Sequence, residues 1–447
     1  MDWKRFMTHI LIISLGNSPE PVINCINSLR PDRTVFVCSD WTRQLIDVVR
    51  QKVRLPDFDS NQDVLLLKQR MSRKSDEGAT NELDQLDLVY SRARDLIRKL
   101  RDADPACRLT LDYTGGTKTM AAGLAMAAVD DGRIQLSLTT HERVKNQASI
   151  SGYSAPVPVS MAAIQTLRLL DQDLPHLLSR YDYIAAEQLV QRIALLPGQD
   201  AETSTLLRRL RDLFVVLDAW DRFDHLRALE VLLGLQERNL DQKLLFPLKR
   251  VIGSRRLLDS QAEEQNWPQM RGHGLEAVQD LLHNAERRAS QDRFDDAVGR
   301  VYRALELTAQ LSLKIKFGID TGALNISLLP DDLREVYTQK QQRMGDEPLK
   351  LALMASYDLL AELEHPVGLL WANKRSALMN SLRVRNESLF AHGFQSIDFG
   401  SWNLFREEVV GFLESVIQLF QNDSRPSEIF QLPSRLDQIV TIDSPKY

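Results

Sequence analysis

From residue 9 to about 151, short apolar runs alternate with segments whose apolar positions recur every three to four residues. Residues 9–15, 34–38, 63–67 and 108–113 read as strands, and 19–29, 42–49, 81–100 and 120–129 read as helices. Two short strands are expected near 134–139 and 148–151. Strict alternation of strand and helix predicts a doubly wound, mostly parallel sheet, whose ligand crevice lies beyond the carboxyl ends of the strands.

After a hinge at Ser154-Ala155-Pro156-Val157-Pro158 the pattern changes to leucines and charges at helical spacing. Long helices are expected over 292–317, 332–344, 348–363, 371–392 and 401–421. Arg180-Tyr181-Asp182, Asp221-Arg222-Phe223-Asp224 and Asp292-Arg293-Phe294-Asp295 echo one another ahead of helices. Their unequal spacing does not support a regular solenoid, and the echo reads as stacked helix pairs, with tetratricopeptide-like packing as the alternative. The expected division is an α/β domain over 1–153, a helical connector over 154–265, a helical domain over 266–425 and a tail over 426–447.

Composition narrows the function classes. Lys and Arg total 56 against 61 Asp and Glu, a formal net charge of −5, so no global basic footprint for long nucleic acid exists. Cys25, Cys38 and Cys107 are far apart, which fits a reducing cytoplasm and offers no zinc-ligand spacing. The apolar run 9–15 falls far short of the roughly 20 residues that cross a bilayer, and neither a signal peptide nor a membrane contact is expected.

Chemistry concentrates in two places. Asp112-Tyr113-Thr114-Gly115-Gly116-Thr117-Lys118 joins a strand to a small-residue helix. Gly115 and Gly116 allow close backbone approach, helix-start amides face outward, and Thr114, Thr117 and Lys118 add hydroxyls and a cation, so the turn suits an anion. It is neither a P-loop nor a dinucleotide fingerprint. Gly16-Asn17-Ser18-Pro19 and Ser39-Asp40, after the first two strands, would sit beside it. Near the other end, Arg385 and His392 lie seven positions apart on an expected helix, sharing a face about 10 Å apart. A phosphodiester fits between them, with histidine for proton transfer, arginine for phosphorane charge and Asn386 for orientation. Gly393 would stop that helix. Tyr302, Arg303 and Glu306 share one face of an expected helix, from which Arg303 or Glu306 could brace the Arg385 helix. His365 reads as structural, His273 as a flexible loop residue between glycines with no metal partner, and Glu362 and Glu364 as solvated.

With these motifs placed, the chain resembles the CARF/HEPN proteins of type III CRISPR systems. The resemblance rests on Ser14-Leu15-Gly16-Asn17-Ser18-Pro19-Glu20-Pro21, on 112–120, and on Arg385-Asn386 with Ala391-His392-Gly393. It implies a Rossmann-like CARF domain followed by an all-α linker region and an all-α HEPN-like domain. CARF domains pair and bind a cyclic oligoadenylate; here Gly16, Asn17, Ser18, Ser39, Thr114, Gly115, Gly116, Thr117 and Lys118 would contribute. HEPN domains pair into a composite ribonuclease site that needs no metal, for which this chain would supply Arg385, Asn386 and His392. The implied protein is a cytoplasmic homodimer that cuts single-stranded RNA to 2',3'-cyclic phosphate ends, with cyclic tetra- or hexa-adenylate as activator and no required cofactor. Alternatives of the same resemblance are a CARF sensor or adaptor with an inactive helical half, and a CARF transcription regulator. The latter would need a basic recognition helix that the sequence does not offer.

Overall fold

A computed structural model gives the fold and describes residues 7–68, 81–140, 155–235, 238–259, 272–344, 348–388, 393–421, 429 and 431–439. The chain forms two compact units, residues 1–171 with 190–208, and residues 172–189 with 209–447.

In the first unit, β1 (His9–Ser14), α1 (Glu20–Leu29), β2 (Arg33–Ser39), α2 (Leu45–Lys52), β3 (Val64–Leu67), α3 (Leu86–Ala103), β4 (Arg108–Asp112), α4 (Lys118–Asp131), β5 (Gln135–Leu138), β6 (Val157–Val159) and α5 (Met161–Arg168) follow in order. The sheet runs β3-β2-β1-β4-β5-β6, parallel except for β6. Successive side chains of a strand point to opposite faces, and β1 shows the result. Ile10 and Ile12 join a core with Val89 and Ile97 of α3 and Met120 and Leu124 of α4. Leu11 and Ile13 join a second core with Val22 and Ile26 of α1 and Ile46 and Val49 of α2. Each such side chain stabilises by about 1.5–3 kcal/mol, which is why both faces of the strand are apolar. The small residues of α4 also have a packing reason, since a Cβ on Gly123 would stand 2.7 Å from Val89 of α3.

The α/β class expected from the alternation is therefore present, with one change at its edge. The sixth strand is Val157–Val159, within the segment read as a hinge, and it pairs antiparallel with β5. Pro158 is tolerated there because an edge strand leaves half its amides without ladder partners. The expected strand at 148–151 lies outside the described residues.

The remainder is helical: α6 (Leu174–Ser179), α7 (Tyr183–Ala194), α8 (Ala201–Asp221), α9 (His225–Gly234), α10 (Arg238–Arg255), α11 (Glu276–Ala289), α12 (Phe294–Phe317), α13 (Asp331–Met344), α14 (Leu353–Glu362), α15 (Pro366–Glu387), α16 (Phe399–Phe405) and α17 (Gly411–Gln421). The echoed Asp/Arg/aromatic motifs are helix-ending turns. Tyr181, Phe223 and Asp292 have φ of 54°, 62° and 59°, and in each turn the next amide reaches back to a carbonyl five residues before it.

In the second unit, Tyr357 of α14 stacks on Trp371 of α15 at 4.3 Å, Phe412 of α17 meets both rings edge-on, and the Tyr357 hydroxyl donates to the Leu305 carbonyl of α12. Burial pushes the Tyr357 phenol well above its ordinary pKa, so it stays a donor. This aromatic cluster fixes α15 against α12. The C-terminal segment is packed as well: Ile429, Leu432, Leu436 and Ile439 are buried, and Tyr183 donates to the Pro433 carbonyl at 2.7 Å.

Candidate functional site

β1 and β4 are adjacent at the middle of the sheet, yet β1 leads into α1 on one face and β4 into α4 on the other. That is the point where a doubly wound sheet opens a crevice. The two turns there touch backbone to backbone. A Cβ on Gly16 would stand 2.7 Å from the Gly116 nitrogen, and one on Gly115 would stand 2.3 Å from the Ser14 carbonyl oxygen. Gly116 has φ +85°, a conformation costly for any side chain.

Asp112, 1% exposed at the end of β4, organises the turn. Its carboxylate accepts from Ser137 Oγ at 3.1 Å, Thr139 Oγ1 at 3.3 Å and the Thr114 amide at 3.0 Å, with Cys25 Sγ at 3.6 Å. Burial first, and then the Asp112 charge, push the Cys25 thiol far above its ordinary pKa, so it remains neutral. Thr114 Oγ1 accepts from the Thr139 amide at 2.7 Å. Thr117 Oγ1 caps α4 through the Met120 amide at 3.2 Å and lies 3.3 Å from the Leu83 carbonyl oxygen, to which it donates.

The expected ligand residues thus divide by task. Gly16, Thr114, Gly115 and Gly116 shape the paired turns, and Thr117 starts α4. Asn17, Ser18 and Lys118 are exposed, Lys118 as the first residue of α4, where amides and dipole favour an anion. Ser39 is only 5% exposed, and its hydroxyl and amide are engaged with Thr42 at 3.2 and 3.1 Å. Two residues that the sequence reading left out of the set also stand here: Asp112 as the hub, and Trp41, 61% exposed in the β2–α2 turn. An aspartate closing an apolar strand was the available signal for the first.

In the helical unit α15 ends at Glu387, earlier than expected. Ser388 turns to φ −80°, ψ 164°, and its amide and hydroxyl both donate to the Arg385 carbonyl, at 3.1 and 2.8 Å. Gly393 then returns to the helix end, donating its amide to the Ser388 carbonyl at 3.2 Å; a Cβ on it would stand 1.9 Å from the Glu387 carbonyl oxygen. The helix expected over 371–392 therefore ends at Glu387, and the expected partner of Arg385, His392, lies outside the described residues. Gly393 is therefore not the residue that ends α15.

Arg385 occupies the last turn of α15, with its guanidinium 4.2 Å from the centre of the Tyr302 ring on α12 and 3.3 Å from Asn386 Oδ1. It makes no ion pair among the described residues. The expected braces face elsewhere, since Arg303 bonds Glu306 at 3.3 Å and Gln310 at 3.1 Å within its own helix. Glu362 is not simply solvated: its carboxylate accepts from Tyr337 at 2.8 Å. His365 caps α15 through Nδ1, and His273 bonds Gln279. Among the described residues no group of three or more His, Cys, Asp or Glu is arranged to hold a metal, and no helix is long and apolar enough to cross a membrane.

Residues 270–416 match the family described as the Csm6 HEPN domain. No curated protein sequence matches the chain. The fold is similar to that of Csm6 from Enterococcus italicus, solved bound to cyclic hexa-2'-fluoro-hexa-dAMP: the TM-score is 0.56 at 13% identity, over 94% of this chain and 95% of that one. Can2 from Sulfobacillus thermosulfidooxidans, solved with cyclic tetra-adenylate, matches over 50% of this chain and 69% of that one, at 11% identity and a TM-score of 0.22, a likeness too slight to carry an argument. The chain thus joins a mostly parallel α/β sheet to a helical region of which residues 270–416 match the Csm6 HEPN family, and its fold is similar to that of a Csm6.

Proposed function

We propose that the chain is an antiviral effector: a single-strand endoribonuclease, switched on by a cyclic oligoadenylate, that works as a homodimer. The observation that carries this reading is the presence, in one chain, of an anion-suited double turn at the sheet's switch point and a Csm6-type HEPN region with, in the last turn of α15, an arginine that no carboxylate pairs among the described residues. The activator is assigned to the first feature. A ring with repeated phosphates is read well by two symmetry-related copies of Lys118 and the α4 amides. The fold's likeness to a Csm6 solved with a cyclic hexanucleotide supports the same assignment.

The reaction is assigned to the second. The RNA 2'-hydroxyl attacks the neighbouring phosphorus, the bond from phosphorus to the 5'-oxygen breaks, and the products are a 2',3'-cyclic phosphate and a 5'-hydroxyl. The 2'-hydroxyl loses a proton and the leaving oxygen gains one, and His392 is assigned to that transfer. Arg385 meets the charge that develops on the phosphorane, and Asn386 orients it. Side chains of these types supply every charge and proton the reaction needs, so cleavage without added metal is part of the proposal. Pairing is favoured by the apolar groups near the end of α15, where Phe394 is 92%, Phe399 64% and Leu404 69% exposed.

The test uses full-length protein with labelled single-stranded RNA. Arg385→Ala and His392→Ala should each reduce cleavage by more than 100-fold while ring binding, measured by calorimetry, persists. Cleavage that survives both changes rejects the assignment.

A further inference from the structure

Arg385 is held in an unusual way for a cation that must meet phosphate. No carboxylate among the described residues pairs with it; its guanidinium lies over the Tyr302 ring at 4.2 Å, and Asn386 Oδ1 takes one hydrogen bond at 3.3 Å. A carboxylate would fix the side chain equally well, but it would cancel the charge and compete with the incoming phosphate. An aromatic face attracts the cation without neutralising it. The ring itself is firmly placed, because Tyr302 sits on α12 between buried Val301 and Ala304, and α12 carries the Leu305 carbonyl that anchors the Tyr357–Trp371 cluster. Among the described residues the Tyr302 hydroxyl has no hydrogen-bond partner, and the ring face is what it offers Arg385.

We propose that Tyr302 is the positioning residue for Arg385: it orders the guanidinium before RNA arrives and leaves its full charge for the phosphorane. This rests on the ribonuclease reading above and adds a residue to it. Ordering a long side chain in advance raises turnover, because the flexible alternative must be frozen at the moment of reaction.

The experiment compares Tyr302→Leu, Tyr302→Phe and Tyr302→Glu in ring-activated full-length protein. Tyr302→Leu should lower kcat by about tenfold, with KM, ring affinity and melting temperature little changed. Tyr302→Phe, which keeps the ring face, should retain wild-type turnover. Tyr302→Glu, which holds the arginine but neutralises it, should fall below Tyr302→Leu. In an Arg385→Ala background, adding Tyr302→Leu should change nothing further, as expected if one group acts only through the other. Equal damage from Phe and Leu, no damage from Leu, or a change in KM alone would overturn the proposal. The Arg385 Nε–H resonance separates the two readings. A protein that binds ring yet never cleaves RNA removes the ribonuclease reading, whereas an Arg385 resonance unmoved by Tyr302→Leu removes the contact and with it the positioning role.

Discussion

Gly115 shows how little freedom the turn between β4 and α4 has. A methyl group there would stand 2.3 Å from the Ser14 carbonyl oxygen, so Gly115→Ala must push β1 and β4 apart. The expected outcome is a loss of about 1–3 kcal/mol in denaturant unfolding, and a ring affinity at least tenfold weaker by calorimetry. Gly411→Ala, in continuous helix where nothing lies within 4 Å of the added atom, should leave ring affinity unchanged and raise stability by about 0.5–1 kcal/mol. Asp112→Ala would strip the acceptor from Ser137, Thr139 and the Thr114 amide, and the same two measurements should both fall. The glycines and threonines of this turn were legible in the sequence because their chemistry is local. The role of Asp112 was not, since its partners come from β5 and the strand end, 25 and 27 residues away. Ser39 likewise looked available until its hydroxyl was seen engaged with Thr42.

Helix ends decide where the catalytic candidates stand. Periodicity located α12 well, because it buries a regular apolar stripe, but it set α15 five residues late at both ends, reading 371–392 where the helix is Pro366–Glu387. Ser388 can satisfy the Arg385 carbonyl locally, and that competition with the next helical bond has no signature in the hydrophobic pattern. The start of α15 makes a measurable prediction. His365 accepts the Val367 amide at Nδ1, and burial, reinforced by Lys316, holds its pKa below the ordinary histidine value. A native pKa below the unfolded one means the unfolded state binds more protons, so this group's contribution is full above the unfolded value of about 6.5 and is lost as pH falls from there through the lower native value. Thermal melts from pH 7.5 to 5 should therefore show a decline that is smaller in His365→Asn, which keeps an acceptor that does not titrate. An identical slope in both proteins would contradict the assignment. At the preceding helix end Glu364 takes φ +51°, exposed, where glycine is better suited; Glu364→Gly should raise stability by about 0.5–1 kcal/mol.

Taken as a molecule, the chain places an anion-suited turn in one compact unit and the Csm6-type HEPN region with Arg385 in the other. The alternation of strands and helices, then their replacement by helices, made the α/β and all-α architectures legible, whereas Pro158 disguised an edge strand as a hinge because proline is excluded only from strands that are paired on both sides. Coupling between two such sites is typically about 1–3 kcal/mol, equivalent to roughly 5–150-fold in affinity. That range sets what an assay must resolve. Purified protein incubated with fluorescent single-stranded RNA in EDTA, with cyclic tetra-adenylate, cyclic hexa-adenylate or neither, should cleave with one ring, leave 2',3'-cyclic phosphate ends, and be nearly silent without it. Equal cleavage with and without ring, or ring binding with no cleavage at all, would contradict a ligand-gated ribonuclease.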